Sequence, residues 1–181
     1  MLAIARALEA RGFGTFLPQR DGLEPWVLPF VDAPWNPNVA ALRAPIDRAI
    51  FCLDVFQIVE RCDALVLNLN GRVPDEGAVA EAAMAFATGA PVVIYKHDAR
   101  SAFAGSDNSM ITGLARERVD DVSALPAAVE RALPRARVAL SPAMTRAVDR
   151  GRALWRLLER VPKGSRSSEL VEEIAALCRE A

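Results

Sequence analysis

The sequence predicts an α/β fold in which a parallel β-sheet carries helices on both faces. Two runs, ALVLNL at 64–69 and PVVIY at 91–95, are nearly continuous in apolar residues, the pattern of strands buried on both sides. Between them lies an alanine-rich stretch of helical length, as a strand–helix–strand crossover requires. The chain has 181 residues, 52% of them hydrophobic, enough for one domain with a sizeable core.

Taken in order, residues 1–11 place apolar side chains at 1, 4, 5 and 8 against charges at 6, 9 and 11, an amphipathic helix closed by Gly12. FGTFLP at 13–18 reads as a short strand stopped by Pro18. Prolines at 18, 25, 29, 34, 37 and 45 then suggest a long loop over 19–45, anchored by Trp26 and Trp35. Helical periodicity returns from Pro45 to Cys62, with Pro45 suited to a first turn. After the strand at 64–69, residues 77–88 read as a helix ended by Gly89, followed by the strand at 91–95. A loop with Gly105, Asp107 and Asn108 leads to a short helix, a weak strand near 118–122 and a helix at 123–133. Two amphipathic helices, 142–161 and 167–180, flank the flexible joint PKGSRSS. The expected organisation is an α/β domain at 1–135 and a helical C-terminal extension at 136–181 that serves packing or dimerisation.

Composition excludes several classes. With 22 basic against 23 acidic residues, the chain lacks the basic excess of a nucleic-acid binder. The cysteines at 52, 62 and 178 show neither metal-ligand spacing nor an even pairing, as in a reducing cytoplasm. No apolar run approaches the roughly 20 residues that span a bilayer. The start, MLAIARALEARGFG, has no basic segment before its apolar stretch, so it reads as a helix rather than a secretory leader.

The stretch NGRVPDEG at 70–77 falls at the carboxyl end of a strand, where open α/β sheets bind their ligands. Gly71 and Gly77 permit tight turns, and Asp75 or Glu76 suits the helix N-terminus, so Asp75 is at least a cap. Glu81 is the unusual residue. Its helix is apolar all round, which predicts burial, and a buried carboxylate needs a partner or a purpose. A salt bridge to Arg72 or Arg100 is one answer; a nucleophilic or acid–base carboxylate in a dry pocket beside Asp75 is the other. Two such acids suit glycosyl transfer. His97 reads as a loop residue, while Lys96, Asp98 and Arg100 follow a strand end and either line the pocket or stand in a solvated loop.

Three segments, FLPQRDG at 16–22, the run from Cys62 to Arg100, and DNSM at 107–110, together resemble the nucleoside 2-deoxyribosyltransferase family over roughly residues 1–125. The resemblance implies a Rossmann-like (flavodoxin-like) sheet and an enzyme that moves 2-deoxyribose between nucleobases without a cofactor or metal. It makes Glu81 the nucleophile that holds the sugar as an ester, Asp75 the acid that orients it, and Asp54 a further catalytic candidate. It assigns substrate binding to Asn108, Gly71, Gly77, Gln19 and Asp21. Asn108 would reach a neighbouring subunit's site, so the expected partners are deoxynucleosides, nucleobases and copies of the same chain in a dimer or higher oligomer. Hydrolysis follows when water replaces the acceptor base. The alternatives are an N-glycosidase acting on deoxynucleotides and a non-catalytic nucleotide-binding domain.

Two departures from the family pattern stand out. The family carries an Asp eight residues ahead of the Asp that opens the second strand, whereas Asp54 precedes Asp63 by nine. One position is about 100° around a helix, so an irregular helix end would be needed to compensate. Family chains also begin with a strand and a glycine loop ahead of the first helix. The expectation is either a shortened N-terminus or a replacement strand from RARVAL at 135–140.

Overall fold

A computed structural model describes residues 1–31, 39–101, 106–136, 138–162 and 167–179. Along the chain run α1 (Leu2–Glu9), α2 (Pro18–Asp21), α3 (Glu24–Val31) and α4 (Val39–Phe56), the last continuing into a π-helical turn at Gln57–Arg61. There follow β1 (Leu65–Asn68), α5 (Glu76–Ala87), β2 (Val92–Tyr95), α6 (Ser109–Thr112), β3 (Ala115–Val119) and a 3-10 turn at Val122–Ala124. The chain closes with α7 (Leu125–Ala132), α8 (Pro142–Arg160) and α9 (Ser168–Cys178). These elements divide into two compact units, Met1–Thr15 with Arg61–Ala139, and Phe16–Glu60 with Leu140–Ala181.

The first unit is the α/β one. Its sheet has the order β1-β2-β3 with both pairings parallel, Val66 opposite Val93 and Ile94 opposite Arg118. Parallel pairing and alternating side chains place Val66, Val93 and Tyr95 on one face and Leu67, Val92 and Ile94 on the other. On the first face, Val93 packs with Ile4 and Leu8 of α1 and with Leu125, Ala128, Val129 and Ala132 of α7. α5 runs back along β1 and β2, as a crossover between parallel neighbours does. The α/β fold expected from the apolar runs is therefore present, with β1, α5 and β2 within two residues of their expected limits.

Several expectations need correction. FGTFLP forms no strand. Instead the Leu17 amide donates to the Asp21 carboxylate at 2.9 Å and Pro18 opens α2, so the residues meant for a ladder shape a helix start. The weak strand falls earlier than expected, at β3, and residues 135, 136 and 138–140 of RARVAL are not in a strand. The expected loop over 19–45 is largely helical, with Pro29 inside α3 and Pro45 inside α4 rather than in its first turn. Trp35, Gly105 and most of the PKGSRSS joint lie outside the described residues.

The second unit is all helical. α4 is its axis and packs against α3, α8 and α9. Ile46 and Leu53 of α4, Leu154 of α8 and Ile174 of α9 are fully buried. α8 carries Gly151 where it meets α4, because a Cβ built there would stand 2.1 Å from the Cys52 carbonyl oxygen. Next to it Arg152 lies 6.0 Å over the Phe56 ring, pairs with Glu60, and bonds Asp149 at 2.7 Å. The Cys52 and Cys178 thiols, on α4 and α9, are hydrogen-bonded. That bond holds Cys52 below its usual range and pushes Cys178 up. Among the described residues no helix is long and apolar enough to cross a membrane.

Candidate functional site

The loop between β1 and α5 is built by polar side chains at the carboxyl ends of the strands. Asn70 accepts, at its Oδ1, the amides of both His97 and Asp98 at 3.0 Å. Asp98 in turn accepts the Gly71 amide at 3.1 Å, so the loops after β1 and β2 are tied in both directions. Asn68 accepts from the Asn70 side chain at 2.6 Å, and Arg100 donates to both Asp98 oxygens. Gly71 stands at φ +105°, a conformation that L side chains rarely adopt, which explains glycine at this tied corner.

Asp75 caps α5: its Oδ1 accepts the Ala78 amide at 2.8 Å. Gly77 lies inside the first turn of α5 instead of in the loop, so it supplies no turn. Ala82 and Ala85 are fully buried, and Glu81 shares their stripe along with Ala78 at helical spacing. Glu81 is the one ionisable side chain in this stripe, the other positions being alanine. Burial on every side was expected from the composition of this helix, and it is not found: Glu76, Gly77, Ala80, Ala83, Phe86 and Ala87 are exposed, Phe86 by 57%. An alanine helix presents little area per residue, so an apolar sequence does not dictate that all faces be covered.

Glu81 is half-buried, and its charge is felt by Cys62. Burial pushes the Cys62 thiol up; Arg135 and Arg61 oppose this, while Asp63 and Glu81 add to it. The Arg135 guanidinium also donates to the Cys62 carbonyl at 2.7 Å. Neutralising Glu81 removes one of the raising influences, so Glu81→Gln is expected to shift the pH profile of Cys62 alkylation downward. Iodoacetamide rates against pH test this, since Cys52 and Cys178 are buried to 2% and 1% exposure. An unchanged profile would place the Glu81 carboxylate away from Cys62.

At the end of β2, Lys96 is buried, and its Nζ donates to Asp107 at 2.6 Å. Arg118 of β3 donates to the other Asp107 oxygen at 2.9 Å. Burial raises the Asp107 carboxyl, but the bonds and charges of Lys96 and Arg118 outweigh it and the net shift is downward. Asn108 follows and caps α6, its Oδ1 accepting the Met110 amide at 2.9 Å. His97 is exposed and stacks on Tyr95 at 5.5 Å between ring centroids, as befits a loop residue.

Asp98 also adds a small acid-sensitive contribution. Arg100 chiefly, with the backbone amides of Arg100 and Gly71, holds its carboxyl well below the usual range. A depressed folded-state pKa stabilises fully above the unfolded value of about 3.9 and loses that contribution as pH falls through the folded one. Urea midpoints measured from pH 7 to 2 should fall below about pH 4, and slightly less in Asp98→Asn, because solvent screens the exposed pair with Arg100. Equal slopes for the two proteins would remove Asp98 from the account.

The structure brings Gly71, Asp75, Gly77, Glu81 and Asn108 into the α/β unit. Gln19 is exposed on α2, Asp21 bonds the Leu17 amide and Arg20, and Asp54 is partly buried two residues before the end of α4; all three belong to the helical unit. Just after Asp54 the helix widens into the π-turn at Gln57–Arg61, an irregular end between Asp54 and Asp63. Asp98 and the DNSM stretch with Asp107 stand out in the sequence, but the bonds that they and Asn70 make do not. Their only signal is a cluster of Asn and Asp residues just past two apolar runs.

A sequence profile described as nucleoside 2-deoxyribosyltransferase matches residues 2–125, more than half the chain. The chain belongs to the nucleoside 2-deoxyribosyltransferase family. The match ends where α7 begins, so it spans the whole sheet and leaves α8 and α9 outside. A search of curated proteins found no match. The family points to transferase chemistry on small nucleosides.

Proposed function

We propose that this member of the nucleoside 2-deoxyribosyltransferase family exchanges nucleobases on 2-deoxyribose by a retaining mechanism, with Glu81 as the nucleophile. The observation that carries the reading is the placement of one carboxylate, Glu81, in the otherwise alanine stripe of α5, behind the Asp75 cap and the tied loop at the strand ends. A Glu81 oxygen attacks C1′ as the C1′–N bond breaks, and the departing base keeps the electron pair and gains a proton. A nitrogen of the acceptor base then attacks C1′ and gives up its proton, the ester bond to Glu81 breaks, and the carboxylate is regenerated. Two inversions give net retention. The sugar lacks a 2′-hydroxyl, so positive charge develops readily at C1′, and a fixed carboxylate stabilises it.

In this scheme Asp75 holds the helix start and orients the sugar, while Asn108 contacts the sugar in the site of a neighbouring copy, which requires an oligomer. Water in place of the acceptor base gives hydrolysis. Incubation with a 2′-deoxynucleoside and a second free base is expected to yield the exchanged nucleoside. Release of base with no new nucleoside would favour the hydrolase, and faster cleavage of the 5′-phosphate would favour a deoxynucleotide N-glycosidase. Binding with no base release on long incubation would leave a non-catalytic nucleotide-binding domain.

A further inference from the structure

We propose that Asp107 is a positioning residue that fixes the direction in which the Asn108 amide addresses the hydroxyls of the pentose, a role that rests on the reading of Asn108 as a sugar contact. Lys96 and Arg118 come from the ends of adjacent strands, and each takes one oxygen of the same carboxylate, at 2.6 and 2.9 Å. The Lys96 and Asp107 side chains are only 4% and 9% exposed. Lys96 is itself fixed by its amide, which donates to the Val119 carbonyl at 2.9 Å. The chain is thus pinned to the sheet at Asp107, one residue before Asn108. Asn108 is pinned from the other side by its bond to the Met110 amide. With Oδ1 used as the cap, the Nδ2 donors are the half of the amide left for a hydroxyl oxygen.

A buried ion pair is a poor source of stability, because desolvation offsets the attraction and apolar replacements of similar volume often do as well. What it supplies is direction: a carboxylate gripped at both oxygens restricts the torsions of its own residue and so of the chain beside it. A role in stability and a role in positioning therefore separate in the double variant Lys96→Met with Asp107→Leu. That protein is expected to melt no lower than wild type. Its KM for the 2′-deoxynucleoside should rise by about tenfold or more with kcat changed far less, and Asp107→Asn should do the same. Arg118→Met, which keeps the buried pair, should shift KM in the same direction by less. Calorimetric Kd values for the 2′-deoxynucleoside make the comparison independent of turnover. A double variant with wild-type KM and Kd overturns the proposal, and so does Asn108→Ala with wild-type binding, which would also remove Asn108 from the site. If Glu81→Ala exchanges bases as fast as wild type while the Asp107 variants bind weakly, the covalent mechanism falls and the positioning role stands.

Discussion

Glu81→Ala is expected to abolish base exchange, with a loss of at least about a thousandfold, or some 4 kcal/mol of transition-state stabilisation. The size follows from the role: with no carboxylate there is no ester, and the exchange must proceed by direct attack of one poorly nucleophilic base on the sugar. Stability should change little, because the side chain is half-buried on a helix in which six of the 12 residues are already alanine. Glu81→Gln keeps the shape and removes the charge, so it should lose activity to a similar extent. Wild-type protein mixed with a deoxynucleoside and no acceptor should carry one deoxyribosyl group in intact-mass measurements, mapped to the peptide containing Glu81. Exchange by Glu81→Ala at the wild-type rate would end the covalent mechanism. Loss of exchange in Asp75→Ala would not distinguish chemistry from the cap, since removing the cap costs about 1 kcal/mol at the helix start.

The parts of this site that could be read from sequence are those governed by short-range rules. A buried parallel strand is an apolar run, a helix start is an Asp, and a helix end is a glycine; Asp75 and Gly89 bracket α5 on these grounds. The tied loop could not be read in this way. Asn70 meets His97 and Asp98 across 27 and 28 residues, a separation at which polar residues carry no periodic signal. The helical unit was misread for a different reason. Proline weighs heavily against a helix when judged locally, yet Leu23 and Val27 of the α3 region are buried to 1% and 0% exposure. Burial of that order, worth about 1.5–3 kcal/mol per side chain, is enough to hold a short helix despite a proline. The structure places this proline-bearing segment in one unit with α8 and α9, elements that no periodicity along the chain connects to it.

Gly151→Ala is expected to destabilise the helical unit by about 2 kcal/mol or more, against a usual total of roughly 5–15 kcal/mol. Helix propensity alone predicts the opposite, since alanine in a helix interior is favoured over glycine by about 1 kcal/mol. The contact decides the sign. A Cβ at Gly151 would stand 2.1 Å from the Cys52 carbonyl oxygen and 2.4 Å from the Phe56 Cβ. The first is backbone and the second is held by its own helix, so neither can turn aside, and α8 must move away from α4. That movement separates Arg152 from the Phe56 ring and from Glu60, and loosens Leu154 against its neighbours. The two described tryptophans, Trp26 and Trp155, belong to this unit, whereas the single tyrosine, Tyr95, belongs to the other. Tryptophan fluorescence in urea therefore follows the helical unit selectively. The midpoint should drop in Gly151→Ala with the slope retained, and Gly151→Val should drop further. A midpoint equal to that of wild type would mean that the two helices have room to spare, and that the glycine is not what lets them approach.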